Sequence, residues 1–120
     1  MIDLKEKMEL LQKAEVISEE SIELYYKFME ELKKRGMGGI CEETFQMHLL
    51  MCMERIHKRE QLEDDLQAMR LQLMKNKIYL SALHLFEKIE GQLSVHFNET
   101  EQTYIIMHFI RMLERMDENL

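Results

Sequence analysis

The chain contains no proline, and glycine is scarce, with 4 residues in 120. Three of the four, Gly36, Gly38 and Gly39, fall in one short segment. Proline and glycine are the residues that interrupt helices most strongly, so almost every position outside this segment is compatible with a helix. The sequence therefore predicts an all-α domain in which one helix ends at the glycine segment.

Cysteine and long apolar runs are scarce as well. The two cysteines, Cys41 and Cys52, form no CxxC pair and no disulfide framework, so both are expected to remain thiols in a reducing compartment. No segment reaches the roughly 18 consecutive apolar residues of a membrane span. The first residues alternate charged and apolar side chains, unlike a signal peptide. These absences predict a cytoplasmic protein that does not associate with a membrane.

Basic residues are outnumbered and dispersed. The 16 lysines and arginines are scattered among 23 acidic residues, and the net charge is −7. Nucleic-acid binding depends on clustered cations that release counterions, so no direct nucleic-acid partner is expected. The sequence shows no glycine-rich phosphate loop, nucleophile elbow or evident pair of catalytic carboxylates. We therefore expect neither enzyme activity nor a cofactor.

Apolar residues recur at helical spacing along most of the chain. Ser18 is a predicted N-cap, Asn98 with Glu101 three residues later predicts a capping box, and Gly91 is a predicted C-terminal cap. The predicted helices span 3–14, 18–35, 42–59, 62–75, 78–90 and 98–116. The sequence does not decide whether the first two spans form two helices or one bent helix. The length suits one helical domain, assigned to 18–120, preceded by an N-terminal helical arm over 1–17.

Two predicted helices carry a histidine and an arginine seven residues apart, His48 with Arg55 and His108 with Arg115. Residues at i and i+7 share a face, and helical side chains lean toward the N-terminus, so each arginine tilts toward its histidine. Arg111 joins the second face. A neutral imidazole can accept a phosphoryl group, and a guanidinium matches phosphate oxygens. The pattern suits phosphate chemistry, but helical histidines are more often ordinary partly buried residues, which would look the same.

Three stretches of the chain are similar to one known family. HLLMCMER at 48–55 and NETEQTYIIMHF at 98–109 resemble the two histidine motifs of the PRD family, and FEKIEGQL resembles its approach to the second motif. PRDs are the domains through which the bacterial sugar phosphotransferase system regulates antiterminators and transcriptional activators. The resemblance covers about residues 18–116, and it implies a compact bundle of about five helices that forms a homodimer.

The resemblance also implies a function. His48 and His108 are the expected phosphorylation sites, and Arg55, Arg111 and Arg115 are the expected supports for the phosphoryl group. HPr or an enzyme II B component is the expected donor. Phosphorylation would then alter dimerisation, and through it transcription or antitermination.

Two departures from the family change these expectations. The family commonly has an acidic residue immediately before the first histidine, where this chain has Met47, so His108 is expected to be the better phosphoryl acceptor. Members usually carry two such domains with a nucleic-acid-binding module, and we expect neither a second domain nor such a module in this chain. The output is therefore expected to run through a separate effector regulator.

Two other classes of protein are compatible with the sequence. A metal-binding bundle could use the Glu54–His57 ExxH pair or the His48–Cys52 pair, but it lacks the further ligands that a di-iron site needs, so no metal is expected. A helical adaptor or dimerisation module that is not phosphorylated is the stronger alternative. The remaining histidines are expected to be ordinary: His57 solvated, His84 semi-buried and His96 in a loop.

Overall fold

The computed structural model describes residues 3–118, and the described part of the chain folds into α-helices with one short 3₁₀ turn and no strand. The α-helices are α1 (Leu4–Lys13), α2 (Glu19–Lys34), α3 (Glu43–Lys58), α4 (Gln67–Met74), α5 (Tyr79–Leu93) and α6 (Glu99–Glu118), and the 3₁₀ turn is Gly38–Ile40. The all-α prediction is confirmed. The count is six α-helices over these residues rather than about five.

The first two helices are separate, which settles the alternative that the sequence left open. Helix α1 ends at Lys13, and Glu15 adopts a left-handed conformation with φ 59°. Ser18 then caps α2, because its side chain accepts a hydrogen bond from the Ser21 amide. Ile17, between the two helices, is 3 % exposed and belongs to the core. The break therefore turns an apolar side chain inward and starts a new helix.

The hydrophobic core is centred on aromatic residues contributed by α2, α5, α6 and the segment before α6. Phe28 is fully buried, and its ring centroid lies 6.2 Å from that of Phe97 and 6.1 Å from that of Phe109. Phe86 contacts Phe97 with a centroid separation of 5.4 Å. Helix α2 packs against α3 and α5, and α6 packs against α5 and α3. The same core thus fixes α3 beside α6.

The segment 60–66 was predicted to begin a helix at residue 62, and this prediction is wrong, since α4 begins only at Gln67. Its backbone is bonded instead to side chains around the start of α6. The Asp64 amide donates to the Thr100 hydroxyl (3.1 Å), which donates back to the Asp64 carbonyl (2.9 Å). The Asn98 side chain donates to the Leu62 carbonyl (2.8 Å). We call this set of contacts the 60–66 clasp.

Two smaller predictions also need correction. Gly91 does not cap α5, because the helix continues to Leu93. Its C-terminal cap is Ser94, which adopts the left-handed conformation with φ 55°. His84 lies on the exposed side of α5 and is not semi-buried.

In the part of the chain that the structure describes, no helix combines the length and the apolar character needed to cross a bilayer.

Candidate functional site

Helices α3 and α6 run antiparallel and bring the two predicted site histidines together. The ring centroids of His48 and His108 lie 5.5 Å apart, with an interplanar angle of 75°. Both side chains are half-buried. Tyr104 lies beside His48 at a centroid distance of 5.4 Å, and Phe45 lies beside His108 at 5.2 Å. The two rings therefore lie beside each other between two aromatic side chains, and we call them the histidine pair.

The histidine pair reaches the surface on the His108 side. A small surface pocket opens there, and its lining includes His108, Arg111, Arg115 and Glu42. Arg111 and Arg115 are exposed, one turn and two turns beyond His108 on α6. Arg115 forms an ion pair with Glu42, which precedes α3. An incoming anion would meet these two guanidinium groups before it reached the ring.

Arg55, on the other side of the histidine pair, forms a two-pronged ion pair with Glu101. Its Nε donates to Glu101 Oε2 at 2.9 Å, and its Nη2 donates to Oε1 at 3.0 Å. The Glu101 side chain is 1 % exposed and that of Arg55 is 22 % exposed. Paired guanidinium and carboxylate groups of this geometry form strong hydrogen bonds. In the absence of phosphate, two of the N–H donors of Arg55 are thus engaged by Glu101.

Burial keeps both imidazoles neutral near pH 7. Burial lowers the pKa of His48, and the Arg55 charge lowers it further against the opposing effect of Glu101. Burial, followed by the neighbouring His48 and Arg111, lowers the pKa of His108 to about 4, with Glu42 acting in the opposite direction. A neutral ring has one nitrogen with a free lone pair, which is what nucleophilic attack requires.

Comparison with protein-family models gives one decisive match. The model described as PRD domain matches residues 40–112, which is more than half of the 120-residue chain. The chain belongs to the PRD domain family. No curated protein and no solved structure matches it in the corresponding comparisons. The suspected resemblance is confirmed, and with it the membership in a family of regulatory domains of the sugar phosphotransferase system.

The matched region of this PRD domain contains both histidines, Arg55 and Arg111, whereas Arg115 lies beyond its end. The structure brings the two predicted histidines together, with the predicted arginines on two sides of them. Arg111 and Arg115 line the pocket at His108, and Arg55 lies on the His48 side, where its charge acts on that ring. Their roles toward a phosphoryl group stay predictions.

Glu101 is the residue of this site that the sequence interpretation missed. It was assigned only to a capping box with Asn98, and half of that box is present: the Glu101 amide donates to Asn98 Oδ1 at 3.0 Å. The reciprocal half is absent, because the Asn98 amide donates to Gln61 instead (2.8 Å). Glu101 lies seven residues before His108, so the i, i+7 rule that linked the other site residues could have placed it on the same face.

The residues of the two proposed metal pairs have other partners in this PRD domain. The Glu54 carboxylate accepts hydrogen bonds from Ser18 and Ser21. Cys52 is buried, and burial raises the pKa of its thiol. Among the described residues, no three His, Cys, Asp or Glu side chains converge in a way that could hold a metal ion.

The depressed pKa of His108 predicts that acid destabilises the fold before the carboxylates titrate. The unfolded imidazole binds a proton near pH 6.5 and the folded one only near pH 4, so the unfolded state takes up more protons between these values. Stability therefore falls as the pH drops below about 6.5. After allowance for solvent screening, we expect a loss of about 1–2 kcal/mol at pH 5 relative to pH 7.5.

Urea unfolding of the wild type and of His108→Gln at the two pH values measures this contribution. The variant is expected to lose less stability on acidification than the wild type. His84→Gln, at an exposed position, serves as the matched control and is expected to behave like the wild type. Equal pH dependence in the wild type and His108→Gln would show that this ring is not the cause.

Proposed function

We propose that this PRD domain is a regulatory domain of the bacterial sugar phosphotransferase system that is phosphorylated on His48 and His108. The observation that carries the proposal is the meeting of the two rings, 5.5 Å apart, beside a pocket lined by Arg111 and Arg115. Two histidines from different helices converge here with cations, which isolated structural histidines have no physical reason to do. HPr or an enzyme II B component is the proposed donor.

The transfer needs only groups that the two proteins supply. The lone pair of one ring nitrogen attacks the phosphorus carried by the donor side chain, and the donor's bond to phosphorus breaks as the new nitrogen–phosphorus bond forms. The proton on the other nitrogen of the acceptor ring is released to solvent or to the departing donor atom. Arg111 and Arg115 stabilise the phosphoryl oxygens through charge-assisted hydrogen bonds.

The proposed output is a change in association. A phosphoryl group brings about 1.5 to 2 negative charges, which compete with Glu42 for the Arg115 guanidinium that this carboxylate holds in an exposed ion pair. Rearranged charge pairs at a subunit contact shift association by roughly 1–3 kcal/mol. We propose that phosphorylation alters a homodimer in this way and that the dimer acts on transcription or antitermination through a separate effector regulator in the cytoplasm. No enzyme activity is proposed for the domain itself.

Phosphoryl transfer tests the proposal directly. The purified domain is incubated with enzyme I, HPr and labelled phosphoenolpyruvate, with and without enzyme II B components, and acid-labile label is counted. We expect labelling of the wild type and a loss of about tenfold or more in the His48→Gln/His108→Gln variant, because the nucleophiles are removed. Since Met47 replaces an acidic residue, His108→Gln alone is expected to lose more label than His48→Gln.

The matched control replaces the three other histidines, His57, His84 and His96, all of which are exposed. This triple variant should keep the wild-type level of label. Absence of label from the wild type with every donor would contradict the proposal. It would favour the non-phosphorylated helical adaptor, an alternative supported by the ion pairs that Arg55 and Arg115 already form without phosphate.

A further inference from the structure

The histidine pair is small compared with the two groups that it is proposed to accept. With ring centroids 5.5 Å apart, a phosphoryl group on one ring lies close to the other ring or to a phosphoryl group on it. Phe45 and Tyr104 flank the rings and offer no charge at neutral pH. Half-buried charges between such walls are screened less by salt than exposed ones, so repulsion between two dianions here would be strong.

The cations around the histidine pair do not suffice for two phosphoryl groups. Arg55 is engaged by Glu101 and Arg115 by Glu42. Arg111 has no ion-pair partner among the side chains that the structure describes, and its charge acts on His108. A further carboxylate lies close by, since Asp64 accepts the Tyr104 hydroxyl at 3.3 Å. One guanidinium is thus uncommitted, against about four negative charges from two phosphoryl groups.

Withdrawing Arg55 from Glu101 would not solve this shortage. The Glu101 side chain is 1 % exposed and would be left as a buried carboxylate without its cation. Leaving one member of a buried ion pair unpaired is strongly unfavourable. The ion pair of Arg115 with Glu42 differs, because each side chain is 48 % exposed. Water can therefore solvate either side chain when the pair separates. The site can release one further cation, from Arg115, more readily than two.

We infer that His48 and His108 act as a single acceptor that holds one phosphoryl group at a time, so that phosphorylation of either ring excludes the other. The inference rests on the proposed function for its biological meaning, but the exclusion itself depends only on the geometry and charge of the site. It makes the domain a two-state device that phosphorylation of either ring sets.

A chemical donor tests the exclusion without any phosphotransferase protein. In the variant His57→Gln/His84→Gln/His96→Gln, only His48 and His108 remain. Phosphoramidate transfers its phosphoryl group to a ring nitrogen as its own nitrogen–phosphorus bond breaks, and ammonia leaves with the proton from the ring. Intact-mass spectrometry then counts molecules with zero, one and two groups when the average is one group per molecule.

Independent sites would give a doubly phosphorylated fraction equal to the product of the occupancies that the two rings reach separately in the single variants, which is about a quarter when each ring is half occupied. We expect the doubly phosphorylated fraction to be at least about fivefold smaller. Adding His48→Gln or His108→Gln to the same background should leave a variant that accepts one group in each case, which shows that both rings are reactive. Adding Glu42→Gln, which frees Arg115, should raise the doubly phosphorylated fraction.

A doubly phosphorylated fraction at the independent level would overturn the inference, as would a failure of either ring to react in the single variants. The outcome is separate from that of the labelling experiment with HPr. Exclusion with phosphoramidate but no transfer from any protein donor would contradict the proposed function and leave the exclusion in place. Transfer from HPr to both rings of the same molecule would contradict the exclusion alone.

Discussion

Replacing Glu101 by alanine is expected to lower the free energy of unfolding by about 3 kcal/mol, because it leaves the Arg55 guanidinium without its carboxylate. The pair has two hydrogen bonds, of 2.9 and 3.0 Å, and joins α3 to α6. Glu101 is almost fully buried, whereas 22 % of the Arg55 side chain is exposed, so some rehydration of the arginine limits the loss. Urea denaturation at pH 7.5 measures it.

Glu99→Ala is the matched control, since Glu99 lies two residues earlier on the same helix and its ion pair with Arg70 is exposed. Exposed ion pairs contribute about 0–1 kcal/mol, so this variant should be close to the wild type. A Glu101→Ala variant as stable as Glu99→Ala would mean that the buried pair does not hold α3 and α6 together.

Glu54→Ala is expected to lower the free energy of unfolding by about 2–3 kcal/mol, because three donors lose one buried acceptor. The Ser18 amide and hydroxyl donate to Glu54 Oε2 at 2.9 and 3.1 Å, and the Ser21 hydroxyl donates to the same oxygen. Burial alone would raise the pKa of Glu54, but the bonds from Ser21 and Ser18, with the charge of Lys58, outweigh it and lower the pKa. The carboxylate thus fixes the start of α2 on α3.

A double-mutant cycle with Ser21→Ala, measured by urea denaturation, separates this network from the loss of the Glu54 side chain itself. The two substitutions together should cost clearly less than the sum of the single effects, because each removes part of the same set of bonds. Glu43→Ala, on the exposed first turn of α3, is the control and should have a small effect. Strict additivity of Glu54→Ala and Ser21→Ala would rule out the network.

Local signals in the sequence predicted the features that depend on neighbouring residues. The caps at Ser18 and Asn98 form as predicted, because each cap needs only a side-chain oxygen and an amide three residues later. The faces that carry His48 and His108 follow from helical periodicity in the same way. That the two faces meet could not be read from either helix alone, because it depends on how α3 and α6 pack.

The roles of Glu54 and Glu101 show the limit of local interpretation. Each was assigned to a motif of nearby residues, an ExxH pair in one case and a capping box in the other. In the structure each carboxylate binds partners more than 30 residues away along the chain, as the separations of 36 and 46 residues to Ser18 and Arg55 show. Burial determined these roles, because a buried carboxylate must find donors wherever the fold supplies them.

The start of α4 was predicted wrongly for a related reason. Leu62, Leu66, Met69 and Leu73 have helical spacing, but the first two lie in or next to the 60–66 clasp, where Thr100 and Asn98 satisfy backbone groups that a helix would otherwise pair. Helix propensity is a weak preference that such contacts override. Apolar periodicity indicated that these residues face the protein, but not which backbone conformation they adopt.

The 60–66 clasp also determines how α3 and α6 can move relative to each other. It joins the segment after α3 to the first turn of α6, and the Arg55–Glu101 pair lies at this same end. The Glu42–Arg115 pair lies at the other end and is exposed. The two helices are therefore held together more firmly at the end with Arg55 and Glu101. A phosphoryl group inserted near His108 is expected to change the angle between α3 and α6 and to separate them most at the opposite end.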